Sequence, residues 1–121
     1  NGSITNNTAV LGGGVYVSNS GLFEIGTSSE ISPVISGNTK TGSSPNNVYL
    51  DTGKTLSITG KLKKTEGAGN IGISMATLQE FTSGWSTFGS TDSTFFFSDN
   101  PQYKIAVEMV NGQNELQLIN E

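Results

Sequence analysis

The segment from Gly2 to Lys61 carries one pattern twice. Ile4-Thr5-Asn6-Asn7-Thr8, followed by Gly12-Gly13-Gly14-Val15-Tyr16-Val17 and Phe23-Glu24-Ile25, returns as Ile35-Ser36-Gly37-Asn38-Thr39, Asn46-Asn47-Val48-Tyr49-Leu50 and Leu56-Ser57-Ile58. Ile4/Ile35 and Asn7/Asn38 lie 31 positions apart, whereas Val15/Val48, Phe23/Leu56 and Ile25/Ile58 lie 33 apart, so a small insertion separates the blocks. A period in this range marks stacked repeats, each burying its apolar edge only against its neighbour.

Within each copy the apolar residues alternate with polar or outward ones. Strand side chains point to opposite faces with period two, so Val15 and Val17 share a face that Tyr16 does not, and Val48 and Leu50 repeat the arrangement around Tyr49. Clusters of Gly, Asn, Ser and Thr between the runs supply turns. Three brief strands per copy, each ended by a corner, predict one turn of a right-handed parallel β-helix. Equivalent residues then stack: Val15 on Val48 and Ile25 on Ile58 inside, Tyr16 on Tyr49 outside. Asn7 on Asn38 forms a corner ladder, because a side-chain amide both donates and accepts. Asn also favours turns without any ladder.

The pairing of Ile4-x-x-Asn7 and Ile35-x-x-Asn38 with Gly12-Gly13-Gly14-Val15 resembles the short tandem motifs of bacterial surface β-helix proteins, a group that includes polymorphic outer-membrane proteins, autotransporter passenger domains and adhesin-like proteins. The resemblance covers the first half of the chain. It implies a solenoid fold and a place outside the cell, at the cell surface. It is silent on activity, since the group spans adhesins, stalks and carbohydrate-active enzymes. The second copy departs from the motif, with Pro45-Asn46-Asn47 in place of the glycines, which suggests a terminal coil.

The chain has 121 residues and a net charge of -4, with six lysines, and no arginine appears in it. No basic footprint for nucleic acid exists, and a nucleic-acid partner is set aside. With zero His and zero Cys, neither a Ser-His-Asp triad, nor a thiolate nucleophile, nor a zinc site of the usual ligands can be assembled. No metal or cofactor is expected. No apolar run approaches the roughly 18 residues of a membrane span, so no membrane insertion by this segment is expected. Opening inside a repeat, the chain reads as a piece of a longer protein, the rest stacking on its N-terminal coil.

Beyond residue 62 the pattern changes. Residues 1–62 read as two β-helix coils, and residues 63–121 as further strands and a C-terminal capping hairpin; a less regular sandwich-like module is the alternative for the second half. Ile71-Gly72-Ile73-Ser74-Met75 alternates like one more strand. Phe95-Phe96-Phe97 is stopped by Ser98-Asp99-Asn100-Pro101. Tyr103, Ile105, Val107 and Met109 alternate up to Asn111-Gly112, a dipeptide favoured in type I′ hairpin turns, and Leu116 and Leu118 alternate on the way back.

Polysaccharide lyases and hydrolases of this architecture align acidic residues along neighbouring coils, and glycoside hydrolysis needs a carboxylate pair roughly 5 to 10 Å apart. Here Glu24 faces Ser57 and Asp51 faces Ser18, so no catalytic residue is assigned and no enzyme is expected. Asp92 and Asp99 fit either a cation site or ordinary turn residues. Ice binding needs flat files of Thr, which the pairing of Thr41 with Val10 interrupts. Binding candidates are aromatic: Tyr16 and Tyr49 as an outer strip, and Trp85 in a polar stretch, for a host or cell-wall glycan or protein. The competing reading has Trp85 packed into the cap core and the Tyr pair stabilising the strands. The expectation is a non-catalytic structural stalk or adhesin module of a larger bacterial surface protein, with a carbohydrate-binding or polysaccharide-degrading β-helix protein as the alternative.

Overall fold

The computed structural model describes residues 2–88 and 92–121, and these build an all-β protein. The first copy of the repeat supplies β1 (Ser3–Ile4), β2 (Thr8–Ala9), β3 (Val15–Val17) and β4 (Phe23–Ile25). The second supplies β5 (Val34–Ile35), β6 (Thr39–Lys40), β7 (Ser44–Pro45), β8 (Val48–Leu50) and β9 (Leu56–Ile58). The remainder holds β10 (Ile71–Met75), β11 (Thr82–Ser83), two short 3-10 turns, β12 (Phe96–Ser98), β13 (Tyr103–Val110) and β14 (Gln113–Asn120).

The two copies pair in parallel at the offsets read from the sequence. Ile4 lies beside Ile35, Val15 beside Val48, Tyr16 beside Tyr49 and Val17 beside Leu50. Phe23, Glu24 and Ile25 lie beside Leu56, Ser57 and Ile58. Each apolar side chain therefore meets an apolar equivalent one layer away, which stabilises the pairing at every step. Val48, Leu50 and Leu56 are fully buried, while Tyr16 and Tyr49 point outward.

A third layer continues both sheets. Strand β10 pairs in parallel with two separate strands of the second copy: Ile71 with Ile35, and Ile73, Ser74 and Met75 with Val48, Tyr49 and Leu50. Residues 36–47 thus leave the sheet at a point where β10 needs only Gly72 to bridge the same gap. This corrects the expectation of a corner at Asn7 and Asn38. β1 and β3 lie in one sheet, as do β5 and β8, and the chain between them makes a side excursion whose strands β2, β6 and β7 form a separate lobe. The lobe presses against the first copy: a β-carbon on Gly13 would sit 2.3 Å from the Thr39 carbonyl oxygen. That contact is the physical reason for glycine at Gly13, while a side chain at Gly14 would meet the Asn47 carbonyl and the Asn38 amide.

The far side is closed by different means. β12 adds to β10 in parallel, with Ile71 beside Phe96. β13 and β14 form the expected hairpin, pairing Ile105 with Leu118 and Val107 with Leu116. Asn111 and Gly112 both have positive φ, at 51° and 81°, as a type I′ turn requires. β14 then runs antiparallel along residues 79–81, where Phe81 N–H donates to Leu116 C=O and Leu118 N–H to Gln79 C=O. Leu116, Leu118, Phe81, Phe95 and Phe96 enter the same buried apolar cluster as Val17 and Val48.

Val48 is completely buried at the junction of three layers. Replacing it with Asp is expected to lower the unfolding free energy by about 3 to 5 kcal/mol, the cost of an unpaired buried charge. Urea unfolding followed by circular dichroism measures this, and a loss below about 1 kcal/mol would contradict the register.

Candidate functional site

The neck of the excursion is held by side-chain amides and one carboxylate. Asn7 donates through its backbone N–H at 3.0 Å and its Nδ2 at 3.1 Å to Asn38 Oδ1. Asn38 Nδ2 reaches back to the Ile4 carbonyl at 2.8 Å and across to Asn47 Oδ1 at 3.0 Å, while the Asn38 backbone N–H donates to the same Oδ1 at 2.9 Å. Asn47 donates through Nδ2 to Asp99 Oδ1 at 2.6 Å and through its backbone N–H to Asp99 Oδ2 at 2.8 Å. Ser74 Oγ adds a third bond to Asp99 Oδ2 at 2.7 Å. The Asn pair read from the repeat is therefore real, and it is the outer half of a longer chain. Asn38 and Asn47 are buried, and so is Asp99, at 7% exposure. Gly72 lies directly beneath: a β-carbon there would come within 2.5 Å of both Asn47 and Asp99.

Asp99 is thus a structural acceptor and not the partner of Asp92. The Asp92 carboxylate caps the 3-10 turn Ser93–Phe95, accepting from the Thr94 hydroxyl and backbone N–H, and these bonds hold it below the ordinary aspartate range. Among the described residues no group of three or more metal-ligating side chains converges.

The three aromatic candidates do not share one site. Tyr16 and Tyr49 stack edge to face with centroids 5.4 Å apart, and the Tyr16 hydroxyl donates to the Asp51 carboxylate at 3.2 Å. Desolvation, then the Asp51 charge and this hydrogen bond, raise Tyr16 above the ordinary 10.0. Trp85 instead packs partly buried against the apolar core. Its backbone N–H donates to Glu115 Oε1 at 3.1 Å, and its indole N–H is buried with no partner among the described residues. Glu115, itself buried, also accepts from Thr82 Oγ1 and Gly84 N–H, and so clamps the hairpin to β11.

Tyr49 does face a cleft. A cavity of about 420 Å³ opens between the lobe, the outer face of β8 and β10, and the turn that leads into β13. Lys40 and Asn46 come from the lobe, Tyr49 and Ser74 from the sheet, and Asp99 and Tyr103 from the opposite wall. Of these, the sequence singled out Tyr49 for an aromatic contact and Asp99, with Asp92, for a cation. The one signal for the others was the replacement of glycine by Asn46-Asn47 in register, which exchanges bare backbone for amide groups. Across the core, Glu24 stands beside Ser57, and the Asp51 carboxylate accepts from Tyr16, so neither acid meets a second across the layers. No protein-family model, curated protein or solved structure matches this chain.

Two outcomes are expected. Asp99→Ala leaves three donors without their acceptor and should destabilise the fold by about 3 kcal/mol in denaturant unfolding; an effect under about 1 kcal/mol would remove the network from the stability argument. Because the folded state holds Tyr16 protonated, that contribution is complete below 10.0 and is lost as pH rises through the raised folded value. An ultraviolet phenolate titration should place Tyr16 above 10.0, and Asp51→Asn should bring it back toward that value.

Proposed function

We propose that this chain is a segment of a right-handed parallel β-helix and serves as a non-catalytic stalk or adhesin module of a larger bacterial protein exposed at the cell surface. The observation that carries the reading is the in-register parallel pairing of the two copies, in which Ile4, Val15, Tyr16, Phe23 and Ile25 each sit beside their equivalents. Repeats that pair this way add length without changing cross-section, as a stalk requires.

The outer side of the first copy supports an assembly of further layers. β1, β3, β4 and β2 are all edge strands of their sheets. Beside them an apolar groove of about 410 Å³ is lined by Ile4, Phe23, Ile25, Ile31 and Ile35. An edge with free backbone groups over an apolar floor is a template for another strand layer. A preceding repeat of the same pattern would offer Asn to Asn7, Thr to Thr8 and an aromatic ring to Tyr16, as the second copy does now. The motif resemblance of Ile4-x-x-Asn7 and Gly12-Gly13-Gly14-Val15 to bacterial surface repeats supports the location. Lack of His and Cys and the separation of Glu24 and Asp51 from other acids support the non-catalytic role.

Three further copies of residues 2–33 placed ahead of Gly2 test this. The particle should lengthen by roughly 14 Å in small-angle scattering, three strand spacings of about 4.8 Å, and the added copies should resist protease. Unchanged length, or copies digested as unfolded chain, would refute the solenoid. A reducing-sugar and unsaturated-product assay across plant, host and bacterial glycans should show no turnover, and robust turnover abolished by Asp51→Asn would refute the non-catalytic assignment.

A further inference from the structure

We propose that the cleft between the side lobe and the start of the hairpin binds a carboxylated sugar residue of the hexuronate type. Its volume of about 420 Å³ lies within the range of about 300 to 1,000 Å³ typical of small-molecule sites. The inference stands apart from the stalk reading, since the cleft is complete within residues 40–118.

The polar groups of the cleft are unevenly committed. Asn46 is only 4% exposed, and its Oδ1 accepts from Gly12 N–H, yet its Nδ2 donates to nothing among the described residues. An amide nitrogen that has no protein partner and keeps contact with solvent in a residue lining the cleft is available to donate to a ligand acceptor there. Among the described residues the Lys40 ammonium has no ion pair and the Tyr49 and Tyr103 hydroxyls have no hydrogen-bond partner. The set is rich in donors and contains one cation, which fits a ligand bearing an anionic acceptor.

Asp99 and the tyrosines narrow the class further. A carboxylate has about four acceptor sites, and Asn47 and Ser74 fill three of those on Asp99. One site on Oδ1 is left to accept a ligand hydroxyl. Phenol faces suit the apolar side of a sugar ring, and their hydroxyls both donate and accept. A hexuronate supplies all that these groups ask for: a carboxylate for Lys40 and Asn46, hydroxyls for Asp99 and the phenols, and a ring face for Tyr49 or Tyr103. A peptide carboxylate offers no hydroxyl array for Asp99.

Digalacturonate, its dimethyl ester and acetyl-diglycine are the probes, titrated into the full chain and followed by nitrogen-proton correlation NMR. Digalacturonate should give saturable shifts at the Asn46 side-chain amide and at the Tyr49 and Tyr103 backbone amides. The ester should bind on the order of tenfold more weakly, as expected for loss of one charge-assisted hydrogen bond. Lys40→Met should weaken the acid by a similar factor, leave the ester unchanged and keep the thermal midpoint. If that variant fails to fold, Tyr103→Phe, which keeps the ring, should weaken both sugars. Acid and ester of equal affinity, shifts mapping outside the cleft, or no saturation at all would overturn the proposal. Equal binding of acetyl-diglycine would overturn it in favour of a peptide-carboxylate site.

Discussion

Asp99 accepts three hydrogen bonds from a part of the chain about fifty residues earlier and from β10, and the geometry of the middle layer depends on it. The carboxylate takes the backbone and side-chain N–H groups of Asn47 and the hydroxyl of Ser74. Asn47 in turn orients Asn38, and Asn38 orients Asn7. Because Asn38, Asn47 and Asp99 are buried, an unmade bond among them costs more than a made one contributes, so the chain is restrained to the arrangement in which they are satisfied. That arrangement brings Ile35 and Val48 to nearly adjacent places on β10 and pushes residues 36–47 outward as a lobe.

The lobe and the carboxylate together create the cleft. One wall is the excursion itself, and the other is the turn around Asp99 that delivers the chain to Tyr103. The same bonds that close the neck of the excursion therefore fix the distance between Lys40 on one side and Tyr103 on the other. A cleft built this way is pre-formed, because its walls are held by the network that holds the fold. The clamp of Glu115 on Thr82, Gly84 and Trp85 plays the matching part at the far end, where it seats the hairpin over the last edge of the β4–β9–β11 sheet.

The two sides of the molecule differ in how their edges are treated. Beyond β10 and β11 the next partners are β12 and the hairpin strand β14, neither of which repeats the pattern of the earlier layers. Among the described residues β1 to β4 carry no such cover and present the repeat pattern itself. Edge strands of this kind leave backbone groups open to pairing on one side, while on the other β12 and β14 take up the edges.

The strand registers of residues 4–58 and the hairpin turn were legible in the sequence for a local reason. Repetition at 31 and 33 positions and the Asn111-Gly112 dipeptide each encode a pairing in residue identities that can be compared directly. The buried state of Val48 and Leu50 and the outward Tyr49 follow from period two alone. Other features had no such code. That Asn7 and Asn38 stand at the neck of an excursion, that Gly72 spans in β10 what residues 36–47 span in the layer before, and that Asp99 completes the amide chain were decided by tertiary structure. Asp99 has no counterpart in any repeat, and its partners lie far off in sequence, so only the closing of the third layer over the second brings its carboxylate to Asn47. Lys40, Asn46 and Tyr103 reach one cleft for the same reason: their meeting depends on where that closure folds the chain, and no spacing along the sequence records it.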